Sequence, residues 1–377
     1  MSQSTRRPKV VHLTSVHTPA DTRIVHKECA TLAREGYEVV LVAPGPRRRL
    51  PQNVRHRPVP LPRNRFERLT ATMIGVYLAA RAERADVYHF HDPELLFSGL
   101  ALRIGGAHVI FDVHEDVPLD IKTKPWIPAW LRPCVSAAAS VALRYLARYF
   151  TAIVPATPSI AQSFTHCRTA LVRNYPLPAA APAQTVPQAF DRRPMLALYL
   201  GSVTGLRGAA EMVRAIERPT LPRDARLLMA GDIEDEALLS HLRALPGWAR
   251  VDAPGRVTPQ GVATALASAR LGLLVFQPAP NHDNAMPTKF FEYMAAGLPV
   301  VASKLLAAYR EIVVEHDCGI LVDPRDDEEI AEAMRRLFTR PDEAAAMGER
   351  GRRAVTGRYE WATEARTLVG LYREIAS

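Results

Sequence analysis

Short apolar runs alternate along the chain with longer amphipathic ones, and the alternation reads as strand, helix, strand. Residues 9–16 (KVVHLTSV) predict a strand, followed by the polar loop HTPADTR. A helix over about 24–34 then stops at Gly36, before a second strand at 38–43. Residues 45–65, rich in Pro and Arg, predict an exposed connection around one short strand. A helix over about 66–84, a strand at 86–90, a helix opened by Pro93 and a buried strand at 107–113 continue the alternation. A strand at 152–154 and another in ALVRNYP close the first half. Residues 176–194, rich in Pro and Ala, predict a linker. The pattern restarts with strands at 195–200, in ARLLMAGD and WARVDAPGRV, and at 271–276 and 298–302. A helix begins near Thr288, and a last one covers 361–375. Helices that alternate with apolar strands imply parallel sheets covered on both faces, and thus an α/β protein with two doubly wound domains.

At 377 residues the chain exceeds one ordinary domain, and 48% hydrophobic residues suffice for two cores. The divisions expected are a first domain over 1–175, the linker 176–194 and a second domain over 195–357, with a closing helix (about 358–377) crossing back to the first. No run of eighteen apolar residues occurs and the polar N-terminus leads straight into a strand, so a cytosolic location is expected. Cys29, Cys134, Cys167 and Cys318 lack metal or disulfide spacing and read as buried thiols.

Charge changes this picture. Residues 1–190 hold 24 Lys and Arg against 13 Asp and Glu, whereas 191–377 hold 24 against 26. Either the first half meets something anionic or it carries a solvated arginine-rich surface. Residues 122–150 combine Trp126, Trp130 and Tyr145 with five basic residues. Packing of that helix on its own sheet is the preferred reading, and peripheral contact with the inner membrane face is the alternative. Nucleic acid is not expected as a partner.

The chemistry concentrates at strand ends, where open α/β sheets bind ligands. The first loop lacks G-x-G-x-x-G, which argues against a nicotinamide oxidoreductase. Asp21 and Arg23 in that loop are acceptor-side candidates, or they pair with each other and shape the turn. HFHDPELL and DVHED put His89 at the end of one strand and His91 and His114 just after two. In the second half, Gly201 and Ser202 lead to Arg207 and a helix, an arrangement suited to a phosphate. The stretch FQPAPNHDNAMPTKFFEYMAAGLPVVAS offers a helix start at Thr288, whose free N–H groups suit an anion, with Lys289 and Glu292 within the first turn or so.

PTKFFEYMAAGLPVV, with HFHDPELL and DVHED, resembles the retaining GT-B glycosyltransferases of family 4, of the bacterial polysaccharide type. The resemblance implies two Rossmann-like domains facing a central cleft and transfer of a sugar from a nucleoside-diphosphate sugar, with no metal or other cofactor. It implies that Lys289 and Arg207 bind the diphosphate and that His114 lies beside the transferred sugar. It further implies Glu292 on the ribose, Thr288, Gly201 and Ser202 in the donor site, and the backbone at Arg256 and Val257 on the base. Asn284 stands where the family carries a glutamate and, with Ala285 and Met286, is expected to hold sugar hydroxyls. His91, Asp21 and Arg23 fall on the acceptor side. The acceptor expected is a glycan, a glycolipid or a small aglycone. A nucleotide-sugar epimerase and a non-catalytic sugar or lipid binder are the alternatives; Ser202 and Asn284, at positions where the family carries other residues, support the last.

Overall fold

The computed structural model describes residues 7–123, 127–177, 189–279 and 288–376. The chain divides into two compact units, one of residues 1–174 with 361–377, the other of residues 175–360.

The first unit is built on a six-stranded parallel sheet of β1 (Lys9–Leu13), β2 (Glu38–Pro44), β3 (Arg55–Val59), β4 (Val87–Phe90), β5 (His108–Val113) and β6 (Ala152–Pro155). Their spatial order is β3-β2-β1-β4-β5-β6. The order reverses between β1 and β4, so a crevice-forming switch point lies at their carboxyl ends. Val11, Leu13, Val40, Val42, Phe90, Phe111 and Ile153 make the core. Apart from the edge strand β3 (RHRPV), the strands are largely apolar, as expected where helices cover both faces. The first helix is wider than an α-helix over Thr22–Cys29 and continues as α over Ala30–Arg34, with Asp21 capping it through Ile24 N at 2.8 Å.

The closing helix, Trp361–Ala376, belongs to this unit. Trp361 Nε1 donates to Thr31 Oγ1 at 2.9 Å, and Tyr372 OH lies 2.9 Å from His89 Nδ1. Two expectations differ, and a third, that the helix after Lys122 packs on its own sheet, holds through Leu143 and Ala147 only over a limited face. ALVRNYP forms no regular strand, and its residues only run beside β6 through bonds such as Ala170 N to Ile153 O. The helix Arg132–Ala147 buries only Ser136, Leu143 and Ala147, leaving Val141 and Tyr145 70% and 55% exposed, so its packed face is narrow. Cys134 is exposed on that helix, unlike Cys29 and Cys318.

The second unit repeats the plan with β7 (Leu196–Leu200), β8 (Arg226–Ala230), β9 (Val251–Asp252), β10 (Leu271–Leu274), β11 (Val300–Ser303) and β12 (Gly319–Val322). Their order is β12-β11-β10-β7-β8-β9, all parallel, with the switch point between β7 and β10. Asp326 accepts from Glu328 N and Glu329 N, so the acidic run there is a helix cap. Among the described residues no helix is long and apolar enough to cross a membrane.

Candidate functional site

In the second unit the candidate donor residues gather at the carboxyl ends of β7 and β10. Gly201 follows β7 with φ +123°, a left-handed conformation that favours glycine. Gly208 opens the helix Ala209–Glu217 with φ +77°, and a Cβ there would come within 2.3 Å of Val275 O. Two constraints thus bring this helix start close beneath the end of β10. Arg207 donates to Ser202 O at 3.2 Å and lies over the Phe276 ring at 5.5 Å. The same carbonyl accepts from Tyr199 OH at 2.7 Å, which fixes the loop that carries the guanidinium. Ser202 itself is exposed.

The helix Thr288–Ala295 seats Phe290, Phe291, Tyr293 and Met294 in the core. Tyr293 OH accepts the Leu200 N–H at 2.8 Å, tying this helix to the end of β7. On its other side Lys289 and Glu292 are partly exposed and meet at 2.9 Å. These two predicted ligand-binding residues therefore neutralise each other in this state. Arg256 pairs through its side chain with Asp232 at 2.5 Å, while Val257 precedes the Thr258-capped helix Pro259–Ser268. Asn284, Ala285 and Met286 lie outside the described residues, as do Lys124 and Trp126 and most of the linker.

In the first unit the strand ends carry a charged cluster. His114 is half-buried, with Nδ1 3.5 Å from Asp112 Oδ1 and its ring 5.2 Å from that of His17. Asp112 is held by Arg23 through Nε at 3.2 Å and Nη2 at 3.0 Å, and Arg23 Nη1 donates to Val172 O. Burial pushes the Asp112 carboxyl up, but Arg23 and the neighbouring histidines hold it well below the usual carboxylate range. The expected Asp21–Arg23 pairing is corrected here. Arg23 is buried against Asp112, and Asp21 caps a helix and meets His17 Nδ1 at 3.1 Å. The strand-following alternation buries rather than exposes His91, which bonds His12 at 2.9 Å.

The sequence reading missed His12, Glu28 and Tyr372. His12 pairs in register with His89 on adjacent strands, and a histidine inside the otherwise apolar run KVVHL was the available signal. Burial drives His12 and His89 well below the ordinary histidine value, and pushes Glu28 well above that of a glutamate.

Comparison with known proteins supports both halves. Residues 22–170 match the glycosyl transferase 4-like domain and residues 195–340 match the glycosyl transferases group 1 model. The MMP alpha-(1->4)-mannosyltransferase of Mycolicibacterium hassiacum is 27% identical over 170 residues, which is 45% of this chain and 40% of that protein. The chain thus spans well under two thirds of that relative's length. Sucrose-phosphate synthase of Thermosynechococcus elongatus superposes with a TM-score of 0.75 at 20% identity, over 99% of this chain and 100% of that one. Anabaena HepE in complex with UDP and glucose does so with a TM-score of 0.74 at 14% identity, over 98% and 100%.

Proposed function

Because this chain belongs to the GT-B glycosyltransferases, joining a glycosyltransferase-4-like domain to a group 1 domain, we propose that it transfers a sugar, with retention of anomeric configuration, from a nucleoside-diphosphate sugar to an acceptor hydroxyl. The observation that carries this reading is the set of anion-binding groups at the second switch point. Arg207 is fixed by Ser202 O, the Gly208 helix start is drawn beneath β10, and Lys289 stands at the start of the Thr288–Ala295 helix. HepE in complex with UDP and glucose supports a nucleotide-linked donor, and similarity to the mannosyltransferase supports sugar transfer.

The chemistry follows from where charge develops. The anomeric C–O bond to the diphosphate breaks as the acceptor oxygen bonds to the same carbon face. The acceptor proton passes to a phosphate oxygen of the leaving group. Arg207, Lys289 and the helix N–H groups stabilise the diphosphate as it gains charge, so no metal is required at that position. Diphosphate draws Lys289 away from Glu292, which frees the carboxylate to accept from the ribose diol. Thr288, Gly201 and Ser202 complete the phosphate loop, and the backbone at Arg256 and Val257 holds the base. Asn284, Ala285 and Met286 hold sugar hydroxyls, and His114, with Nδ1 3.5 Å from Asp112, serves the transferred sugar. The basic first half, with Trp130, Val141 and Tyr145 exposed, favours an anionic, lipid-linked acceptor at a membrane surface.

The test is incubation with UDP- and GDP-linked glucose and mannose, with and without lipid-pyrophosphate acceptors. Nucleoside diphosphate release that depends on Lys289 and Arg207 is expected. Sugar interconversion without release, or binding without turnover, would overturn the proposal.

A further inference from the structure

The first unit buries four metal-ligating side chains that the transfer chemistry does not use. His12 and His89 face each other on β1 and β4, His91 follows β4, and Glu28 comes from the helix Thr22–Cys29. All four are at most 1% exposed. Glu28 Oε2 lies 3.9 Å from His12 Nδ1, 3.9 Å from His91 Nε2 and 4.0 Å from His89 Nδ1. His12 Nδ1 and His91 Nε2 are 2.9 Å apart. One ligand atom from each of the four can be chosen so that all lie within 4.8 Å of one another. Four ligands about 2.0–2.1 Å from a tetrahedral ion stand roughly 3.3 Å from each other, a spacing bracketed by these distances.

The remaining atoms of the same side chains lie near charged groups without an aligned hydrogen bond to them. His91 Nδ1 faces Asp112 Oδ2 at 3.5 Å, and His89 Nε2 faces it at 3.9 Å. A carboxylate behind a ligating imidazole fixes its ring and raises its basicity. Arg23 Nε stands 3.1 Å from Glu28 Oε1. Both Glu28 oxygens lack an aligned hydrogen bond, and an ion among the four facing atoms would take up Oε2; His12 Nε2, His89 Nε2 and His91 Nδ1, on the far side of the rings, are unpartnered too. Two buried carboxylates, Asp112 and Glu28, also share one guanidinium. Lys27, on the same helix, is directed to Asn174 at 2.6 Å.

We propose that His12, Glu28, His89 and His91 hold a divalent cation of the zinc class, bracing the first unit independently of donor binding. Three imidazoles and a carboxylate match the preference of zinc(II) for nitrogen and oxygen ligands in a closed tetrahedral site. Tyr372 OH, 2.9 Å from His89 Nδ1, competes with the ion for that nitrogen.

The experiment is metal analysis of the full chain purified from zinc-supplemented medium, followed by cobalt(II) loading of chelator-treated protein. The expected results are one zinc per chain, visible cobalt bands of tetrahedral intensity and a raised Tm with zinc. Glu28→Gln and His89→Gln should lower zinc affinity by at least about tenfold. Tyr372→Phe, which keeps the ring in place, should raise it. Wild-type chain that is metal-free and gives neither cobalt bands nor a Tm shift overturns the site in favour of a proton held on Glu28. Zinc bound equally by the wild type and both ligand variants overturns it as well, in favour of surface histidines. The wild-type and Tyr372→Phe measurements decide the matter even where a ligand variant does not fold.

Discussion

The Tyr293 ring occupies the space that a side chain on Gly272 would need: a Cβ at Gly272 would lie 2.3 Å from the ring. Because Tyr293 OH also accepts from Leu200 N, this missing side chain sets the height of the helix that carries Lys289 and Glu292. Gly272→Ala should destabilise the second unit by about 1–3 kcal/mol through overpacking and weaken donor binding at the same time. Urea denaturation, read alongside nucleoside diphosphate affinity, checks both. A stable variant with unchanged affinity would show that the seat is dispensable.

Lys289→Ala should lower turnover by about 10²–10³-fold, the usual effect of removing one group that stabilises developing charge. The fold should persist, since the Lys289–Glu292 pair is partly exposed and such pairs contribute little. A near-normal rate in the release assay would remove Lys289 from the phosphate site. Glu292→Gln should instead act mainly on nucleotide affinity, lowering it by roughly tenfold, in line with losing a charge-assisted hydrogen bond. Titration with UDP and GDP is the measurement.

In the first unit, Asp112→Asn and His114→Ala should separate support from function. Asp112→Asn leaves Arg23 buried beside one carboxylate fewer, and a loss of about 3–5 kcal/mol is expected from breaking such a pair. His114→Ala, at a half-buried rim position, should preserve the unfolding midpoint while lowering turnover. Equal destabilisation by the two changes would make His114 part of the scaffold.

Stability should also depend on pH through His17. Burial lowers its proton affinity, but the Asp21 hydrogen bond and the nearby Asp92 raise it above the ordinary value of 6.5. His17 therefore binds its proton more tightly in the folded chain than in the unfolded one. The resulting stabilisation is complete below about pH 6.5 and is lost as pH rises through the raised folded value. Asp21→Asn keeps a helix-capping oxygen and removes the charge. The gap in unfolding free energy between wild type and Asp21→Asn should be larger at pH 6 than at pH 9, as followed by urea denaturation. An equal gap at both values would remove the ion pair from the account.

Much of the architecture was legible because burial on both faces leaves parallel strands as unbroken apolar runs. Runs such as those around Val10, Val40 and Val300 needed no tertiary information to be read as strands. ALVRNYP misled because an apolar run reports burial, and Val172 is buried without joining a regular ladder. The candidate residues in one local stretch, Thr288, Lys289 and Glu292, were legible for the same local reason. The Lys289–Glu292 pairing is likewise consistent with residues three apart on one helix face.

By itself the sequence determined the alternation of strand and helix and the doubling of the domain, since these rest on residues near one another in the chain. Only the tertiary structure decided that His12, Glu28, His89, His91, Arg23, Asp112 and Tyr372 meet in one buried cluster. The physical reason is that parallel strands set side by side bring together His12 and His89, 77 positions apart, the helix after β1 adds Arg23, 89 positions from Asp112, and the closing helix adds Tyr372, 283 positions from His89. No local pattern of polar and apolar residues encodes such a meeting.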